Sequence, residues 1–280
     1  MVNVNDLSIK SLETLMTFGV NGGSFRFELD ELQNTTLANT EEKTNQTGRN
    51  GRTIGTLKKN KAVTVSGTSG MVSLGLMEAQ VGSTAESKET TVKYPDYVTV
   101  VSETTGEGES AVTTVYALSS YAAVGTAGNE IGTIYVKDSN GIVTKTLKQD
   151  SSASAAGKFA YNPADKKITF YTNDVKEGDN LTFYYKRKIS ADAVITNYSD
   201  NFSETLEVYV DFIAEDKCKN EYHGQIFMPY ADFSGNFDLA LGGDQTTHAF
   251  EATSIASACG NKKSKLWDIT IFGANVEDAA

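Results

Sequence analysis

Residues 204–216 read ETLEVYVDFIAED, and within them Leu206, Val208, Val210 and Phe212 alternate with Thr205, Glu207, Tyr209 and Asp211. Successive side chains of an extended chain point to opposite faces, so this spacing predicts a strand with one buried and one wet face. Strand-like runs recur on both sides of it: TVKYPDYVTVV (91–101), AVTTVYAL (111–118), IGTIYVKD (131–138), IVTKTLKQ (142–149), KKITFYT (166–172), DNLTFYYKRK (179–188), YHGQIFMPY (222–230) and KLWDITIFG (265–273). Turn signals separate them. DSNG (138–141) predicts a hairpin, NPADKK (162–167) a second turn, and QDSSASAAGK (149–158) a loop tip.

Toward the N-terminus the pattern changes. Residues 4–17 (VNDLSIKSLETLMT) predict a short helix capped by Asn5 or Asp6, with Leu12, Leu15 and Met16 on one face. Gly22 and Gly23 end this arm, residues 1–23, and SFRFELDEL (24–32) predicts a strand burying Phe25, Phe27 and Leu29. A second strand, KAVTVSGTSG (61–70), places Val63 and Val65 on one face. MVSLGLMEAQVG (71–82) then has the spacing of a short helix closed by Gly82.

Between these two strands, residues 34–60 hold almost no large apolar side chain and predict a long loop. From Lys43 to Lys61 the chain carries Lys43, Arg49, Arg52, Lys58, Lys59 and Lys61 and no acid, in a protein with 36 acidic and 25 basic residues. Three readings stand beside one another: a solvated loop, an assembly arm that orders against a partner, and direct contact with nucleic acid. Residues 43–61 contain no aromatic to stack on a base, which weighs against the third. A second copy of the same acidic chain is the simplest partner.

Composition narrows the function classes. With 13 Tyr, 13 Phe, 24 Gly and only 3 Pro among 280 residues, the chain is rich in strand and turn formers. A net charge of −11 is opposite to that of proteins that hold nucleic acid by neutralising phosphates. Two cysteines, Cys218 and Cys259, make no disulfide framework and fit a reducing cytoplasm. MVNVNDLSIK has neither the basic start nor the apolar stretch of a signal peptide, and no run is long enough to span a membrane.

Signatures of chemistry are missing. The G-x-S-x-G elbow, the H-E-x-x-H pair, the Walker loop and the dinucleotide fingerprint do not occur, and GTAGNEIG (125–132) lacks the spacing of a phosphate loop. His223 and His248 do not stand from Cys218 and Cys259 at zinc-motif spacings, so two surface histidines and two buried or half-buried thiols are expected. Carboxylate pairs such as Glu207 and Asp211 arise by chance among so many acids. No catalytic residue, cofactor or metal is expected, and the chain reads as a non-enzyme. Trp267 alternates with Ile269 and Ile271 and is expected in the core.

The order of these elements resembles the tail-tube (major tail) proteins of bacteriophages. The resemblance is carried by SFRFELDEL, the polar stretch after it, the strand-then-helix of residues 61–82, and the closing QIFMPYADFSGNFDLALG (225–242) with LWDITI (266–271). It implies a mainly β chain: a single tail-tube-like domain over 1–280, a two-sheet sandwich or barrel with one or two short flanking helices. Residues 34–60 become its long assembly loop, and about 95–190 a candidate inserted β subdomain. It further implies self-assembly into stacked rings, six subunits to a ring, in the virion tail. The tube then conducts DNA during ejection without binding it specifically, and other tail proteins join its ends. On this reading the chain is made in the host cytoplasm and meets no membrane. Glu204, Glu207 and Asp211 are nominated for an acidic lumen. Head-decoration, tail-terminator and fibre-like proteins share the same profile. A carbohydrate-binding sandwich fits less well, with Trp267 the only tryptophan available for stacking on a sugar.

Overall fold

The computed structural model describes residues 6–105, 112–138, 140–242, 245–256 and 265–273. Strands dominate, in two sheets. The chain divides into two compact units, residues 1–85 with 195–280, and residues 86–194. The middle stretch set apart in the sequence, about 95–190, falls inside the second unit.

In the first unit, strands numbered along the chain are β1 (Leu7–Gly19), β2 (Phe25–Leu29), β3 (Leu32–Thr47) and β4 (Thr53–Ser69), followed by α1 (Leu74–Val81). After the second unit come β13 (Thr205–Asp216), β14 (Glu221–Phe233), β15 (Leu239–Ala240), β16 (Thr247–Ser254) and β17 (Asp268–Gly273). They form one antiparallel sheet in the order β2-β1-β13-β14-β16-β4-β3, with β17 on β14 and β15 on β16. The alternation in β13 holds throughout: Leu206, Val208, Val210, Phe212 and Ala214 are buried, and the residues between them are half-buried. Their inner face packs with Leu15, Phe27, Leu29, Val65, Met228 and Phe250, and Trp267 lies against the same core.

Helix α1 contributes Leu76 and Ala79 to this core. The Ser73 hydroxyl caps it by accepting from the Leu76 N–H at 3.2 Å. Gly82 closes it in the left-handed conformation (φ 65°), donating its N–H to the Glu78 carbonyl at 2.8 Å. His248 holds the helix from the other side. Its Nδ1 accepts from the Ser73 N–H at 3.4 Å, so Nε2 carries the proton and donates to Gln80 Oε1 at 2.8 Å.

Several sequence expectations are corrected here. Residues 7–19 are strand β1, not a helix: pairing with β13 on one side and β2 on the other overrides the local pattern, and Leu15 and Thr17 face the core. Phe25 does not share the buried face of Phe27 and Leu29. A bulge against Thr17 and Phe18 turns it outward, where it is 53 % exposed. His248 is fully buried rather than on the surface, and Cys218 is exposed. Cys259 lies outside the described residues.

The second unit comprises β5 (Glu86–Thr99), β6 (Val101–Thr105), β7 (Val112–Leu118), β8 (Thr133–Lys137), β9 (Val143–Gln149), β10 (Lys158–Asn162), β11 (Lys167–Phe170) and β12 (Asn180–Val194). Its sheet runs β5-β12-β8-β9-β10-β11-β7-β6, antiparallel except where β10 lies parallel to β9. The predicted turns are in place. Asp138 accepts from the backbone of Asn140 and Ile142 between β8 and β9, and residues 162–167 join β10 to β11. A separate core gathers Val100, Ile134, Leu147, Phe159, Ile168, Leu181 and Phe183. The Arg187 guanidinium lies 3.8 Å from the ring centre of Tyr121 and 4.8 Å from that of Tyr94. The unit opens and closes on one ladder, in which Glu86 pairs with Val194.

Candidate assembly surfaces

Residues 34–60, expected to be a loop, are two long paired strands. β3 and β4 form a hairpin whose tip is a turn at Arg49–Gly51. Thr and Asn supply the strand: Thr44 pairs with Leu57, and Asn45 with Thr56. At the tip Asn50 (φ 67°) and Gly51 (φ 72°) take the left-handed conformations that reverse the chain, and the Gly48 N–H donates to the Arg52 carbonyl at 2.7 Å. From Thr40 to Lys61 every residue except Gly48 and Gly55 is exposed. At roughly 3.3 Å per residue, the eight residues from Thr40 to Thr47 form an arm about 26 Å long. The sequence pattern missed this element because neither of its faces is buried.

Charge on the arm is partly paired within it. Glu41 lies 3.1 Å from Lys43 and 3.4 Å from Lys58, and Glu42 lies 3.7 Å from Lys59. Lys43 first, and then Lys58, hold the Glu41 carboxyl below its ordinary range. Among the described residues Arg49, Arg52 and Lys61 pair with no acid. The six basic residues nominated from the sequence thus divide into three that share two carboxylates at mid-arm and three without an acid partner among the described residues, two of which flank the tip. Ile54 (72 % exposed) and Leu57 (53 %) stand among them.

A second surface lies on the outer face of the first unit's sheet, opposite the core. Cross-strand register places Met16 beside Glu28 and Tyr209, Phe18 beside Glu207, Thr14 beside Asp211, and Tyr209 beside Phe227. Aromatic rings tile it: Phe18 meets Phe25 at 5.7 Å and Tyr209 at 5.6 Å edge-on, and Tyr209 stacks on Phe227 at 4.6 Å. A shallow depression of about 360 Å³ opens here, lined by Met16, Phe18, Gly22, Gly23, Glu207, Tyr209 and Gln225. Burial, followed by the nearby Glu207 carboxylate, raises the Tyr209 phenol above its usual value.

The three carboxylates nominated from β13 are not equivalent. Glu207 and Asp211 share this outer face. Glu207 accepts from the Gly22 N–H at 3.3 Å and from the Tyr209 hydroxyl at 3.4 Å, and Asp211 accepts from Gln225 Nε2 at 2.8 Å. Neither has a cation partner among the described residues, and neither does Glu28. Glu204 precedes the strand and stands apart, its two oxygens 2.5 and 2.6 Å from Arg26 Nη2. The strand period identified Glu207 and Asp211 as a pair. The aromatic surface between them escaped notice because Phe18 and Phe25 come from other strands, one reached only through a bulge.

Among the described residues no three or more His, Cys, Asp or Glu side chains gather where they could hold a metal ion, and no helix is long and apolar enough to cross a membrane. The arm and the outer face carry charge without an ion-pair partner beside exposed or half-buried apolar side chains, and both suit contact with another protein. No curated protein matches the chain. A family model does match, over residues 14–269, spanning all of the second unit and nearly all the strands of the first. The chain belongs to the YomU/Tube protein family, a family of phage tube-type proteins.

Proposed function

We propose that the chain is the tail-tube subunit of a bacteriophage. Copies close into rings, six to a ring, and the rings stack into a tube in the virion tail through which DNA passes on ejection. The protein is structural and not an enzyme, and it is made in the host cytoplasm. The observation that carries this reading is the distribution of charge. Residues 32–69, which contain the arm, hold six basic and two acidic residues, whereas the rest of the first unit holds 20 acidic and 7 basic. One chain thus presents a basic projection and an acidic body, which are complementary between copies and repulsive between like parts.

Sheet edges supply the other half of the argument. β2 and β3 end the first unit's sheet, and unpaired edges in a monomer invite aggregation unless a partner strand covers them. Pairing between copies covers them, and ring closure limits the growth. An acidic wall would repel phosphate and leave DNA free to slide. Sedimentation velocity across protein and salt concentration tests the proposal. Rings and larger multiples of them are expected, with stacking lost at about 1 M salt, where the screening length falls to about 3 Å. A monomer at every concentration and salt would overturn it.

A further inference from the structure

We propose that the arm tip of one copy, residues 48–59, seats in the depression on the outer face of β1 and β13 of a second copy. The proposal rests on the tube-subunit reading, names the surface through which copies join, and assigns Glu207 and Asp211 to that contact instead of to the lumen for which they were nominated. Its first support is reciprocal unmatched charge. Arg49 and Arg52, which flank the tip, have no acid partner, while Glu28, Glu207 and Asp211 have no cation partner, among the described residues. The second is chemistry at the floor. Met16, Phe18 and Tyr209 present apolar area and ring faces beside a carboxylate, a setting that favours an arginine guanidinium or an aliphatic side chain. Arg49, Arg52, Ile54 and Leu57 supply both at the end of the arm.

Reach and symmetry agree with this. An arm about 26 Å long, exposed on both faces, extends far enough to touch a neighbour. Donor and acceptor patches differ, so the contact is heterologous and repeats head to tail, as stacking requires. An apolar and basic segment of another tail protein is the competing occupant.

Cysteine cross-linking between two differently tagged chains tests the proposal. Both carry Cys218→Ser and Cys259→Ser; one adds Ile54→Cys and the other Met16→Cys. After mild oxidation of the mixture, the 54–16 product is expected to dominate over 54–54 and 16–16 products. Glu207→Arg with Asp211→Arg in the Met16→Cys chain should abolish it. Adding Arg49→Glu with Arg52→Glu to the Ile54→Cys chain should restore it, an outcome that misfolding cannot produce. Rings or tubes without the 54–16 product would overturn the docking while leaving the tube reading intact. Absence of both assembly and product would overturn both.

Discussion

Acidification should loosen the first unit through His248. The ring is fully buried, and burial lowers its pKa from the ordinary 6.5. Its Nδ1 faces the Ser73 N–H, so a proton placed there would set donor against donor at the start of α1. The unfolded chain takes up that proton near pH 6.5 and the folded chain only at lower pH. Stability is therefore complete above 6.5 and declines as pH falls from 6.5 toward the folded value. The slope cannot exceed about 1.4 kcal/mol per pH unit, so the loss between pH 7.5 and 5.5 is at most about 1.4 kcal/mol. With a urea dependence of about 2 kcal/mol per molar, the midpoint falls by up to about 0.7 M. Glu41, Glu215 and Asp216 have ordinary values of 4.5, 4.5 and 3.8 and are lowered further by their partners, so they lose stabilisation only at more acid pH. Trp267 is the only tryptophan and packs on the same core, so its fluorescence reports this unit selectively. His248→Gln should lower the midpoint at pH 7.5 and flatten its decline toward 5.5. A wild-type midpoint that does not move, or a decline that survives in the variant, would refute the reasoning.

Gly82→Ala should destabilise the same unit, since a Cβ there would lie 1.9 Å from the Phe202 carbonyl oxygen in a left-handed backbone. Conformational strain alone costs about 1–2 kcal/mol, and an unchanged urea midpoint would count against the assigned geometry. Arg49→Glu with Arg52→Glu should abolish large assemblies while leaving the unfolding midpoint where it was, because both side chains are exposed; light scattering and tryptophan fluorescence read the two effects separately. Replacing residues 86–194 by a short glycine linker should leave the first unit folded, since Glu86 and Val194 are paired neighbours and each unit has its own core. Loss of the cooperative Trp267 transition would contradict that independence.

Strands with one buried face were legible in the sequence, because the twofold period of β13 or of Val63 and Val65 records burial directly. Helix α1 was legible through its Gly82 stop. What could not be read was structure held by partners distant in sequence. β1 has an apolar spacing that fits a helix, and only its ladders to β13 and β2 make it a strand. The arm carries no burial signal, since both its faces are wet. A glycine such as Gly224 gives no hint that the Phe212 ring of the adjacent strand lies directly over it. The candidate site divided in the same way: the free basic residues of the arm and the pair Glu207 and Asp211 came from composition and period. Glu28, Phe18, Phe25 and Phe227 became visible only through register, and the pairing of Glu204 with Arg26 only in three dimensions.

Electron microscopy of the purified protein at high concentration tests the central claim most directly. A tube subunit with a basic arm and an acidic body should form hollow tubes or stacked rings of uniform width, and the Arg49→Glu, Arg52→Glu variant should stop at single rings or smaller species. Uniform single particles from the wild-type chain at every concentration, with no ring or tube among them, would contradict the account.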